Sequence, residues 1–139
     1  MNLPTTDLVG EKVGDIRLVD VLGRGGMGIV YVGRDEKLDR RVAVKAIHGD
    51  FRLHERAKAR FQREAQILSK LNHRNICVVH GLLERDDSDF LVLELVPGTN
   101  LRTAIKQKMS EHQQFDIARQ LLEVLAAVHD AGVIHRDLK

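Results

Sequence analysis

Gly23, Gly25 and Gly28 stand in the spacing G-x-G-x-x-G, with Val30 two residues further on. Lacking a Cβ, glycines let a backbone approach phosphate oxygens closely and offer N–H groups to them. On its own the spacing equally describes a flexible hairpin turn. A dinucleotide-binding loop opens a helix, whereas Ile29-Val30-Tyr31-Val32 is β-branched and aromatic. The other common phosphate loop ends in Gly-Lys-Ser/Thr, which this segment lacks. Lys45 follows in Val42-Ala43-Val44-Lys45. Residues two apart on a strand share a face, so a small, flat Ala43 lies beside a cation, a pairing suited to a purine and its phosphates. Alone, Lys45 would be an ordinary surface lysine. Glu64 shifts the balance, because it falls between Phe61, Ala65 and Leu68 on the apolar stripe of a helix. A carboxylate buried there without a partner is costly, so a cation from the sheet is expected to meet it, and Lys45 is best placed. The alternative is that Glu64 sits at the margin of the stripe and reaches water.

These residues need a scaffold, and the hydrophobic pattern supplies one. Ile16, Leu18, Val21 and Leu22 read as a strand, the glycine run breaks it, and Ile29–Val32 resumes it, giving a hairpin. A polar turn at 35–40 precedes a third strand at 41–47. Steps of three and four through Phe61, Ala65, Leu68 and Leu71 predict a helix within 53–71. Strands at 76–83 and 90–96 flank the charged turn 84–89, and Pro97-Gly98 ends the last of them. Thr99 or Asn100 can cap a short helix to about residue 108. A longer helix is expected over about 113–130, striped by Phe115, Ala118, Leu122, Leu125 and Ala126, with Gly132 as its C-terminal stop. The fold class is α+β: a five-stranded antiparallel sheet with one helix, then the first helices of a second lobe. The expected segments are a polar lead-in at 1–13, a lobe at 14–96, and a linker with the start of the second lobe at 97–139.

The chain closes on His135-Arg136-Asp137-Leu138-Lys139. Standing alone, Asp137 would be a turn aspartate. With the glycine loop, Val-Ala-Val-Lys and a helix glutamate in that order before it, the set resembles the protein kinase family, and Gly-Gly-Met-Gly resembles the bacterial kinases of eukaryotic type. The resemblance covers nearly all of residues 16–139. It implies a kinase N-lobe and a truncated helical C-lobe, and ATP-dependent phosphoryl transfer to serine or threonine hydroxyls of a protein. It implies that Leu22, Gly23, Gly25, Gly26 and Gly28 fold over ATP, with Val30 and Ala43 sandwiching adenine. Lys45, held by Glu64, would bind the α- and β-phosphates. Leu93 falls at the gatekeeper position, and the backbones of Glu94 and Val96 would meet the adenine edge. Asp137 would be the catalytic base and Lys139 would meet the γ-phosphate, as in serine/threonine kinases. Magnesium is implied as well, held by an asparagine and an Asp-Phe-Gly expected after residue 139. Residues 1–139 alone are therefore expected to have little kinase activity. A nucleotide- or partner-binding module without catalysis is the alternative.

Composition agrees with a folded chain. Of 139 residues 43% are hydrophobic and 30% charged, with a net charge of +2. The charges are interspersed, so no basic face marks a nucleic-acid partner. A single cysteine, Cys77, excludes an intrachain disulfide, and its apolar neighbours predict a buried thiol. The first residues lack the basic start and apolar run of a signal peptide, and no run is long enough to cross a bilayer. A cytoplasmic location is expected. His48, His54, His80, His112 and His129 show no metal-ligand spacing with carboxylates or thiols, and no metal site is expected within residues 1–139.

Overall fold

The computed structural model describes residues 8–25, 28–47, 55–85 and 88–133, except that within 55–64 only Ala59, Gln62 and Arg63 have described side chains. The chain divides into two compact units, Met1–Ser69 with Val78–Leu95, and Lys70–Cys77 with Val96–Lys139.

The first unit is built on an antiparallel sheet. Its strands are β1 (Lys12–Val13), β2 (Ile16–Gly25), β3 (Gly28–Asp35), β4 (Arg40–Ile47), β5 (Val79–Glu84) and β6 (Asp89–Glu94). They lie in the order β1-β2-β3-β4-β6-β5. Helix α1 (Glu55–Lys70) connects β4 to β5. Strict alternation explains the core: Ile29 and Tyr31 of β3, Val42, Val44 and Ala46 of β4, and Phe90 and Val92 of β6 are buried on one face, with Val13, Ile16 and Leu18. Ala65 of α1 is buried, and Leu68 is half-buried.

The sheet has six strands rather than the expected five, because β1 forms within the polar lead-in. It pairs Lys12 with Arg17 and Val13 with Ile16 around Gly14, whose φ is 58°. Val13 is 1% exposed, so this segment contributes to the core. Glu36, just after β3, ties it down, meeting Lys12 Nζ at 2.7 Å and Arg17 Nε at 2.8 Å. Hydrogen bonds from Lys12 first, then Arg17, hold the Glu36 carboxyl below its ordinary pKa. Two register shifts in β2 leave Val19 and Leu22 without opposite numbers on β3, and both are exposed. Cys77 corrects an expectation: it is exposed. It precedes β5 rather than lying in it, and its neighbour Val78 is exposed too.

Gly33 shows how tightly the core face is filled. A Cβ there would lie 2.7 Å from Ile16 Cγ2, 3.0 Å from Val44 Cγ2 and 3.2 Å from Val42 Cγ2. Gly33→Ala is therefore expected to cost about 1–3 kcal/mol through overpacking, read as a lower urea midpoint with an unchanged slope.

The second unit carries α2 (Leu101–Lys106) and α3 (Glu111–Asp130). Asn100 caps α2, its side chain accepting from the Thr103 amide at 2.8 Å. Helix α3 starts two residues before the expected Gln113, because Ser110 and Gln113 form a reciprocal capping box. It ends as expected at Gly132, φ 77°, where Gly132 N donates to His129 O and Val133 N to Val128 O. Phe115 and Leu122 of its apolar stripe are exposed.

Candidate functional site

The face of the sheet opposite the core carries the residues singled out for chemistry. Pairing sets Gly23 of β2 against Val30 of β3, Val30 against Lys45 of β4, and Lys45 against Leu91 of β6. Directly paired residues point to the same side of a sheet, so glycine, valine, lysine and leucine form one row across four strands. With strands about 4.8 Å apart, Gly23 and Lys45 are roughly 10 Å apart along the row. A parallel row holds Val32, Ala43 and Leu93. Ala43 and Leu91 are buried, while Val30, Lys45 and Leu93 are half-buried. The lysine thus rises from an apolar floor, with small Ala43 beside it.

The glycines differ in what fixes them. A Cβ at Gly23 would meet nothing within 4 Å, so no packing among the described residues demands a glycine there. The open space lies on the row that leads to Lys45, and it fits a ligand approaching the backbone closely. Gly28 is different: its φ is 142°, and a Cβ would lie 2.0 Å from the Ala46 carbonyl oxygen. Gly28 is required by β4 passing beneath it. It pairs with Gly25 to close the hairpin.

At the other end of the sheet, β6 finishes at Glu94. The Glu94 amide donates to Val78 O at 2.8 Å, and Glu94 Oε2 accepts from the Val78 amide at 3.2 Å. Sequence reasoning assigns this side chain no role. Nearby His80 has its pKa lowered, by burial first and by the Arg40 charge next, while Glu94 and Asp35 pull the other way. Helix α1 is joined to the end of β5 by Gln62 Nε2 donating to Glu84 Oε1 at 2.8 Å.

The structure therefore brings Gly23, Val30, Ala43, Lys45 and Leu93 onto one face of the first unit. Leu22, beside Gly23, is 55% exposed at a bulge. The side chain of Glu64, and with it the expected pair with Lys45, lies outside the described residues, as do Gly26, Asp137 and Lys139. Val96 belongs to the second unit and is exposed. Among the described residues, no three His, Cys, Asp or Glu side chains are grouped as a metal would need. No helix among them is long and apolar enough to cross a membrane.

Glycines of the β2–β3 hairpin and a strand lysine thus share one face of an antiparallel sheet. The family model described as the protein kinase domain matches residues 16–139, and the chain belongs to that family. It is 39% identical over 127 residues to the serine/threonine-protein kinase pkn2 of Myxococcus xanthus, a match covering 91% of this chain and 15% of that protein. It is 36% identical over 135 residues to the serine/threonine-protein kinase PrkC of Bacillus subtilis, covering 95% of this chain and 21% of that one. The crystal structure of Rad53 1–466 in complex with AMP-PNP matches with a TM-score of 0.77 and 30% identity, over 90% of this chain and 33% of that chain. The chain thus spans about a seventh and a fifth of those two bacterial relatives and a third of the solved chain.

Proposed function

We propose that this chain is the ATP-binding part, with the start of the catalytic loop, of a protein serine/threonine kinase. The observation that carries the reading is the row Gly23–Val30–Lys45–Leu91, which aligns an open glycine with a half-buried lysine on the face away from the core. Residues 14–96 serve as the nucleotide-gripping lobe, and 97–139 as linker and start of the helical lobe. The backbone of Gly23, Gly25, Gly26 and Gly28, with Leu22 at its edge, covers the phosphates. Val30 and Ala43, which share one face of the sheet, pack against adenine, and the backbones of Glu94 and Val96 meet its edge. Lys45 presents its ammonium to the α- and β-phosphates, oriented by Glu64. Asp137 accepts the proton of the substrate hydroxyl, and Lys139 steadies the γ-phosphate.

Magnesium, when bound, neutralises charge on the transferring phosphoryl group. The family pattern assigns its ligands to residues after Lys139, so no residue of this chain is given that role. Catalysis by the chain's own residues is then positioning and electrostatics, with one proton accepted at Asp137. The need for ATP points to the cytoplasm.

The test is transfer of label from γ-labelled ATP to a generic basic protein by the protein in its full length. Acid hydrolysis is expected to release labelled phosphoserine or phosphothreonine. Label on tyrosine, or no nucleotide binding at all, would overturn the reading.

A further inference from the structure

Glu94 is held to Val78 by two hydrogen bonds that point in opposite directions. Its amide donates to the Val78 carbonyl at 2.8 Å, and its carboxylate Oε2 accepts from the Val78 amide at 3.2 Å. Sixteen residues separate the two positions. The contact falls where regular pairing stops: β6 ends at Glu94, and β5 begins only at Val79. The regular ladder there is broken as well, since Val79 pairs with Leu93 and Gly81 with Val92, leaving His80 unopposed. A strand end beside a bulge has fewer backbone bonds to fix its peptide planes than a strand interior. The carboxylate supplies one that the ladder lacks.

We infer that the Glu94 side chain is a positioning residue for purine recognition, acting through the backbone of its own residue. This rests on the reading above, in which the Glu94 backbone meets the adenine edge. The Glu94 amide already donates to Val78, so it is not available to a ligand. The carbonyl is then the group that meets a purine. Adenine presents an amino group at its six position, a donor, whereas guanine presents a carbonyl, an acceptor. A carbonyl fixed in place accepts from adenine and repels guanine. If the strand end is loosened, the carbonyl can turn aside, the penalty on guanine shrinks and the gain for adenine is lost. The side chain thus sets how sharply the site separates the two purines, without touching either.

The role depends on the acceptor oxygen rather than on the charge. The glutamine amide keeps an oxygen that can take the Val78 N–H, and alanine keeps none. His80 makes the distinction necessary, because the imidazole can carry a positive charge that the Glu94 carboxylate acts on. An effect of charge alone would leave Glu94→Gln as impaired as Glu94→Ala.

The experiment measures displacement of a fluorescent ATP analogue by ATP and by GTP from the full-length protein, for the wild type, Glu94→Gln and Glu94→Ala. The wild type is expected to prefer ATP. In Glu94→Ala the ratio of ATP to GTP affinity is expected to fall about five- to tenfold, the loss matching one net hydrogen bond. Glu94→Gln is expected to keep most of the ratio. Equal weakening of ATP and GTP in Glu94→Ala would make the contact merely structural and overturn the inference, as would an unchanged ratio, or a ratio lost equally in Glu94→Gln. If the wild type binds neither nucleotide, the nucleotide-binding reading itself falls, and the inference with it.

Discussion

Gly28→Ala is expected to lower the unfolding free energy by about 2–4 kcal/mol, the sum of steric overpacking and a strained backbone. Two independent features require glycine here. The φ of 142° lies where side chains are rarely tolerated. A methyl group would also press on the Ala46 carbonyl oxygen at 2.0 Å and the Ala46 carbonyl carbon at 3.2 Å. Those atoms belong to the backbone of β4, so no rotamer change can move them aside. Relief requires β3 and β4 to part at the Gly28–Ile47 pair, two residues along each strand from the Val30–Lys45 pair. Loss of stability and loss of nucleotide affinity are therefore expected together. Gly23→Ala is the control, since its methyl group meets nothing within 4 Å. Its stability is expected to stay within about 0.5 kcal/mol of the wild type, while nucleotide affinity falls because the methyl fills the space on the row. Urea denaturation with and without nucleotide separates the two. Equal stability of Gly28→Ala and the wild type would show that the hairpin tip can shift at no cost.

The difference between these glycines is not legible in the sequence. The motif gives both the same meaning, yet only the pairing of β3 with β4 shows that Gly28 is pressed by a neighbouring backbone while Gly23 faces open space. What can be read is whatever obeys a local period. The two-residue alternation of Val42-Ala43-Val44-Lys45 puts Ala43 and Lys45 on one face before any contact is known, and the register agrees. The helix stop at Gly132 is legible for the same reason, since a left-handed residue after an apolar stripe is a local feature. The apolar stripe places the start of α3 too late, because the capping box of Ser110 with Gln113 lies outside it. Strand β1 escapes the pattern because two residues carry no periodicity. Its signal is the Gly14-Asp15 turn between Val13 and Ile16. Cys77 misleads because apolar neighbours imply burial only inside an element, and β5 begins two residues later. The contact of Glu94 leaves no mark at all: its partner Val78 is sixteen residues away and meets it through backbone groups, which residue type does not record.

Asp137→Asn is expected to lower kcat for phosphorylation of a serine-containing substrate by about 100- to 10,000-fold, the range for loss of a positioned general base. Asparagine has nearly the same shape and still accepts a hydrogen bond, so a substrate hydroxyl can still be oriented. What it cannot do is take the proton as the hydroxyl oxygen attacks. The KM for ATP is expected to change little, because most groups assigned to the nucleotide, among them Gly23, Val30, Ala43 and Lys45, lie on the sheet of the first unit. Lys45→Met provides the contrast. It removes the ammonium assigned to the phosphates, so both nucleotide affinity and turnover are expected to fall. Steady-state kinetics of the full-length protein with varied ATP distinguish the two patterns. An Asp137→Asn variant with wild-type kcat would remove Asp137 from proton transfer and leave it as a turn residue. A Lys45→Met variant with undiminished ATP affinity would mean that the lysine on the row is an ordinary strand lysine, and that the phosphates are held elsewhere.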